Sequence, residues 1–189
     1  MMLDRGARTA GAAQIAFLKY GNSPSALNRK NRLVNPGRMN DEASFNRIMV
    51  AFDGSKDATN AVRLAAALSK KFGAELVVAH IFSSPSVGLS AASGMPLPDY
   101  SELEEAAKAG GQKVLATGLQ VAADSGVRAR GELKEASSVV QALVEYAAEE
   151  KVDLIVVGTR GMTGFKKLIM GSVSSGLVSH AHCPVLIAR

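Results

Sequence analysis

The 189-residue chain contains a single cysteine, Cys183, and three histidines. One thiol excludes an internal disulfide, and no spacing of Cys and His matches a structural zinc site. His180 and His182 stand two apart at the end of a helical pattern, so they do not share a face and make no metal pair. Such cysteine usage suits a reducing compartment, and a cytoplasmic protein is expected. Also missing is any apolar run near the roughly 18 to 20 residues that a spanning helix needs. Neither standard phosphate loop occurs, G-x-x-x-x-G-K-[ST] or G-x-G-x-x-G, which argues against an ordinary P-loop ATPase.

What is present is a hydrophobic content of 47%, enough for one packed domain with an appendage. The formal charge of +5 is unevenly placed. Residues 1–44 carry seven Lys+Arg against three Asp+Glu, so +4 of the charge lies there and the remainder is nearly neutral. With no recognition helix or aromatic RNA-binding pattern beside it, this basic stretch does not indicate nucleic acid. It shows no sustained periodicity and is rich in Gly, Asn, Pro and Ser, so residues 1–44 read as a mobile extension and 45–189 as the folded domain. Met39 offers an alternative start, and TAGAAQIAFLKY lacks the apolar length and cleavage site of a targeting signal.

After residue 45 the hydrophobic period alternates between short β-rich runs and longer helical ones, the pattern of a parallel sheet covered by helices. Strands are expected at 48–52, 75–82, 127–134, 153–157 and 184–188. The first ends at Asp53-Gly54-Ser55, where Ser55 can cap a helix burying Ala58, Ala61, Val62, Ala65 and Leu68, closed by Gly73. A long Ser, Gly and Pro-rich loop follows over 83–100. Ser101 and Glu104 form a capping box for the next helix, which Gly110-Gly111 should weaken by about 1 kcal/mol per glycine. A third helix, capped near Ser137, buries Val140, Leu143, Val144 and Ala147, and a last one spans 172–181.

The fourth strand runs into GTRGMTGFKKLIMGSVSS. Gly158, at the strand end, lacks a Cβ that would keep a sugar or phosphate from the backbone, and Gly161 can take positive φ to turn the chain into an arc. Gly171-Ser172-Val173-Ser174 then opens a helix whose free N–H groups and positive dipole end favour anions, with the Ser172 and Ser174 hydroxyls as further donors. Phosphate is the natural guest. The bland readings stand beside this one. Asp53-Gly54-Ser55 can be only a capped turn, and Arg160, Lys166 and Lys167 can be solvated loop charges. His80 reads as a core or cleft histidine with a satisfied hydrogen bond rather than a ligand or base. Cys183 reads as a small buried hydrophobe, and Met162, Phe165, Leu168, Ile169 and Met170 as packing under the arc.

The spacing G-x2-G-x9-G-[ST], together with RIMVAFDGS, VVAHIF, VDLIVVGTRG and HAHCPVLIAR, resembles the ATP-binding members of the universal stress protein A family over residues 46–189. The resemblance implies an open, doubly wound α/β fold with a five-stranded parallel sheet in the order 3-2-1-4-5 and helices on both faces. Its ligand lies at the switch point between strands one and four. By position, Ala51 and Asp53 would line the adenine and ribose end, and Ile81 would meet adenine through its backbone. Val157 and Gly158 would flank the ribose, and Gly161, Gly171, Ser172, Val173 and Ser174 would hold the phosphates. The implied ligand is ATP with a Mg or Mn ion, and the implied assembly is a homodimer pairing through the C-terminal edge strand. Two positions depart from the family pattern: Ala51 stands where some ATP binders have proline, and Gly176 where a longer polar residue is usual. The motif offers no acid besides Asp53, so binding is favoured over turnover. The alternatives are a weak ATPase or nucleotidyl or phosphoryl transferase using the same pocket, and an interaction scaffold that binds no nucleotide.

Overall fold

The computed structural model describes residues 44–83, 101–162 and 170–189. The basic extension, the loop over 84–100 and the middle of the arc, with Phe165, Lys166, Lys167, Leu168 and Ile169, lie outside the described residues. In chain order the elements are β1 (Arg47–Ala51), α1 (Lys56–Phe72), β2 (Glu75–Phe82), α2 (Ser101–Asp124), β3 (Ala129–Glu135), α3 (Val139–Glu149), β4 (Leu154–Gly158), α4 (Ser172–His180) and β5 (Val185–Ala188). All pairings are parallel, and the sheet order is β3-β2-β1-β4-β5, as expected.

Period-two alternation divides the strands between two cores. Ile48, Val50, Leu76, Val78, Leu154 and Val156 pack beneath α1 and α2. Met49, Ala51, Val77, Ala79, Ile155 and Val157 point the other way, against α3 and α4. The helices that follow β1 and β4 therefore lie on opposite faces, and the C-terminal ends of these neighbouring strands open a crevice between them.

Local signals set most element ends. Ser55 accepts the Ala58 amide at 3.1 Å and starts α1, and Gly73 ends it at φ +65°, a left-handed conformation that glycine adopts without a Cβ clash. One cap differs from expectation. Ser138, not Ser137, caps α3 by accepting the Gln141 amide, because its extended backbone aims the hydroxyl at the first turn. The start of α2, where the Ser101–Glu104 box is expected, adjoins residues outside the described ones.

The glycine pair does not interrupt α2, which runs unbroken for 24 residues. Tertiary packing overrides the propensity penalty here. A Cβ on Gly111 would lie 3.1 Å from Leu133 Cδ1, and one on Gly118 would lie 2.8 Å from Phe52 Cδ1. Small residues at these positions let the helix sit close to β1, β2 and β3. The same logic explains Gly176, whose absent side chain is replaced by Val140: a Cβ there would be 2.7 Å from Val140 Cγ2. Gly176 thus brings α4 against α3.

At the N-terminal ends of the strands, away from the crevice, Arg47 and Arg130 alternate with Glu75 and Glu150 in a ring of ion pairs 2.7 to 3.4 Å long. The Arg130 hydrogen bond holds the Glu150 carboxyl below its usual range. Cys183 is buried as expected, and burial pushes its thiol up to about 11.

Candidate functional site

The crevice holds a cavity of about 310 Å³. Four stretches of chain supply most of its walls. The end of β1 gives Ala51, Phe52 and Asp53, and the end of β2 gives Ala79, His80 and Ile81. The end of β4 and the turn after it give Val157, Gly158, Arg160, Gly161 and Met162. The start of α4 gives Gly171, Ser172, Val173 and Ser174. All ten residues singled out in the sequence line this one cavity. Register explains why residues so far apart meet: Ala51 lies opposite both Ala79 and Val157.

The glycine arc is fastened to the β1–α1 turn by hydrogen bonds. Asp53 accepts the Ser55 amide at 3.0 Å through Oδ1 and the Met162 amide at 3.1 Å through Oδ2. Asp57 accepts the Arg160 amide at 3.2 Å, and the Ser55 hydroxyl donates to the Arg160 carbonyl at 3.3 Å. Asp53 is therefore both the turn residue and a cavity wall, which joins the two readings of its motif.

At two glycines the fold itself supplies a reason for the missing side chain. At Gly158 a Cβ would lie 2.7 Å from the Asp57 carbonyl carbon and 2.8 Å from the Ala58 nitrogen, so the first turn of α1 excludes it. Gly161 does not adopt positive φ; Gly54 does, at +87°. What excludes a side chain at Gly161 is the Asp53 carboxylate, 2.7 Å from where its Cβ would stand.

At α4, Gly171 takes the N-cap position and supplies no side-chain cap. The first-turn amides therefore have no side-chain acceptor among the described residues and lie at the cavity, with the positive end of the helix dipole. Ser172 is exposed there, and Val173 packs partly onto the α3 face of the core. The Ser174 hydroxyl differs from expectation: it is buried and directed at the carbonyls of Thr159, 3.2 Å away, and Gly171, 3.0 Å away. Its one proton serves the fold, leaving the Ser174 amide and the Ser172 groups as donors.

Sequence reasoning missed Thr159, Val139 and Leu143. The Thr159 carbonyl accepts the Gly171 amide at 2.9 Å and closes the arc at its base, while its hydroxyl and amide both donate to the Ala188 carbonyl at 2.8 Å. Its place inside the glycine pattern, directly after Gly158, was the available signal. Val139 and Leu143, from the start of α3, form an apolar wall. Only the β3–α3–β4 crossover brings them there. His80 meets expectation, with Nδ1 2.8 Å from the Phe52 carbonyl. Because a carbonyl only accepts, Nδ1 carries the proton.

An open parallel α/β sheet with helices on both faces and a cavity at its switch point places the chain in the doubly wound α/β class. The sequence model described as the Universal stress protein family matches residues 44–189, and the chain belongs to that family. Universal stress protein MJ0531 of Methanocaldococcus jannaschii is 34% identical over 151 residues, 79% of this chain and 85% of that protein. Universal stress protein YxiE of Bacillus subtilis is 34% identical over 148 residues, 77% of this chain and 99% of its own length. Among solved structures, universal stress protein UspA from Lactobacillus plantarum superposes with a TM-score of 0.64 at 25% identity, covering 78% of this chain and 99% of its own. A universal stress protein family member from Burkholderia pseudomallei does so with a TM-score of 0.57 at 29% identity, covering 76% of this chain and 95% of its own. No helix among the described residues is long and apolar enough to cross a membrane.

Proposed function

We propose that this protein binds ATP in the crevice cavity and uses its occupancy to act as a nucleotide-dependent stress-response or regulatory protein in the cytoplasm. The observation that carries this reading is the meeting of the three strand ends and the start of α4, with no side chain among the described residues capping that helix, at one cavity. The apolar wall of Ala51, Ile81, Val139 and Leu143 suits a base, and the α4 amides suit phosphate. Structures of the same fold have been solved with cAMP, dAMP and AMP, at 23%, 22% and 19% identity to this chain. That likeness is one of fold, so the ligand is argued from the cavity itself.

A divalent ion would be carried mainly by the phosphates. Among the described residues no group of three His, Cys, Asp or Glu could hold one, and both oxygens of Asp53 already accept amides. The same engagement leaves Asp53 poorly placed as a general base, so binding is put ahead of turnover. We place a homodimer contact on β5, which among the described residues pairs only with β4 and leaves its other edge open.

Denaturing freshly purified protein and identifying any released nucleotide tests the reading, with calorimetry of ATP and Mg²⁺ on the emptied protein. An adenine nucleotide in the supernatant, or saturable ATP binding, is expected. No nucleotide and no ATP binding would overturn it. Turnover of γ-labelled ATP that is lost in Gly161→Val would move the protein to the enzymes.

A further inference from the structure

Resting on that nucleotide site, we infer that Arg160 binds the ligand's phosphate directly, so that the cavity selects phosphorylated nucleosides over the bare nucleoside. Arg160 is the second residue after β4, and its backbone is held on both sides by Asp57 and Ser55. Its Cα stands 3.6 Å from where a Cβ of Gly171 would be, which places it beside the start of α4. Arg160 lines the cavity and also the adjoining hollow at the start of α1.

The guanidinium nitrogen Nε is buried and has no hydrogen-bond partner among the described residues. Arg47 and Arg130, by contrast, are both paired with Glu75 and Glu150. The acidic side chains of the β1–α1 turn, Asp53 and Asp57, direct their hydrogen-bonding oxygens at the amides of Ser55, Met162 and Arg160. A buried N–H of a charged group without an acceptor is unfavourable, and a fold tolerates it where a ligand supplies the acceptor. A phosphate does so with two oxygens that match the planar fork of the guanidinium. Together with the α4 amides, Arg160 makes the mouth of the cavity cationic on the side where the phosphates would lie.

The test uses the full chain, stripped of bound nucleotide, with ATP, AMP and adenosine measured by calorimetry, or by competition with a fluorescent ATP analogue where binding is weak. Arg160→Gln should weaken ATP and AMP about tenfold or more, as for loss of a charge-assisted hydrogen bond, and leave adenosine within about twofold. Arg160→Lys should fall between, since it restores charge without the fork. The ligand-free unfolding midpoint of Arg160→Gln should not drop, because no partner is lost. Unchanged ATP affinity in Arg160→Gln overturns the role of Arg160 while leaving the nucleotide site standing. Equal losses for ATP and adenosine, or a lowered ligand-free midpoint, assign Arg160 to the fold instead. If the wild-type chain binds no nucleotide, the site and the role of Arg160 fall together.

Discussion

The Asp53 carboxylate occupies the space where a side chain on Gly161 would begin: a Cβ there would stand 2.7 Å from Asp53 Oδ2. That same oxygen accepts the Met162 amide. Glycine at 161 and aspartate at 53 are thus two halves of one fastening between β1 and the arc, and a substitution at either acts through the other. Gly161→Ala should displace the carboxylate and reduce ATP affinity about tenfold, the scale of one charge-assisted hydrogen bond. In an Asp53→Ala background, where the space is free, the further loss from Gly161→Ala should be much smaller. Calorimetry on the four proteins gives the coupling, and additive losses would refute it.

Gly158 meets backbone rather than a movable side chain. Gly158→Ala would set a Cβ within 2.8 Å of two main-chain atoms of Asp57 and Ala58, so α1 must shift on the sheet. A loss of about 3 kcal/mol is expected from urea unfolding, at the upper end of ordinary overpacking. An unchanged midpoint would show that α1 gives way freely.

Gly176 and Val140 supply a case where the sign should reverse. Gly176→Ala gains helix propensity, about 1 kcal/mol, but meets Val140 Cγ2 at 2.7 Å. The single change should destabilise by about 1 kcal/mol net, whereas in a Val140→Ala background the same change should stabilise. Urea midpoints of the double-mutant cycle check this.

Glu150 gives an acid limb to the stability profile. The Arg130 hydrogen bond lowers its carboxyl below the ordinary value of 4.5 in the folded chain. The unfolded state then binds the proton more readily, so this contribution is present above about pH 4.5 and is lost as pH falls through the lower folded value. Glu150→Gln should flatten the fall in unfolding midpoint between neutral and acid pH.

Cys183 acts on the alkaline side. Burial raises its thiol from 9.0 to about 11, so the folded chain holds the proton longer than the unfolded one. Its contribution is present below about pH 9 and is lost as pH rises toward 11. Cys183→Ala should lose this alkaline slope, and the wild-type thiol should label slowly with iodoacetamide at neutral pH. Rapid labelling would contradict the burial.

The strands and helices were legible in the sequence because their signals are local. The β-branched run before Gly158 marks a strand buried on both faces, Ser55 and Gly73 bracket α1, and GSVS announces a helix start. The cavity residues were legible through the family resemblance, which carried Ala51, Asp53 and Ile81 to the same place as the glycine cluster. Other features were less so. The α3 cap fell one residue from expectation because Ser137 and Ser138 have the same chemistry, and only backbone direction chooses between them.

The reasons Gly111, Gly118, Gly158, Gly161 and Gly176 are needed lie in residues about 20 to 110 positions away in the chain. Spacing suggested ligand approach at Gly158 and a left-handed turn at Gly161, but strand order sets α1 against the first and Asp53 against the second. It likewise turns the Ser174 hydroxyl to Thr159, lays Val140 over Gly176 and leaves the Nε of Arg160 buried without an acceptor among the described residues. The alternation of strands and helices, the two apolar faces of the sheet and most helix ends were determined by sequence alone, since these depend on periods and caps among near neighbours. Tertiary structure decided which atoms exclude a side chain and which polar groups keep a free valence at the cavity, since both depend on register between segments that sequence does not place side by side.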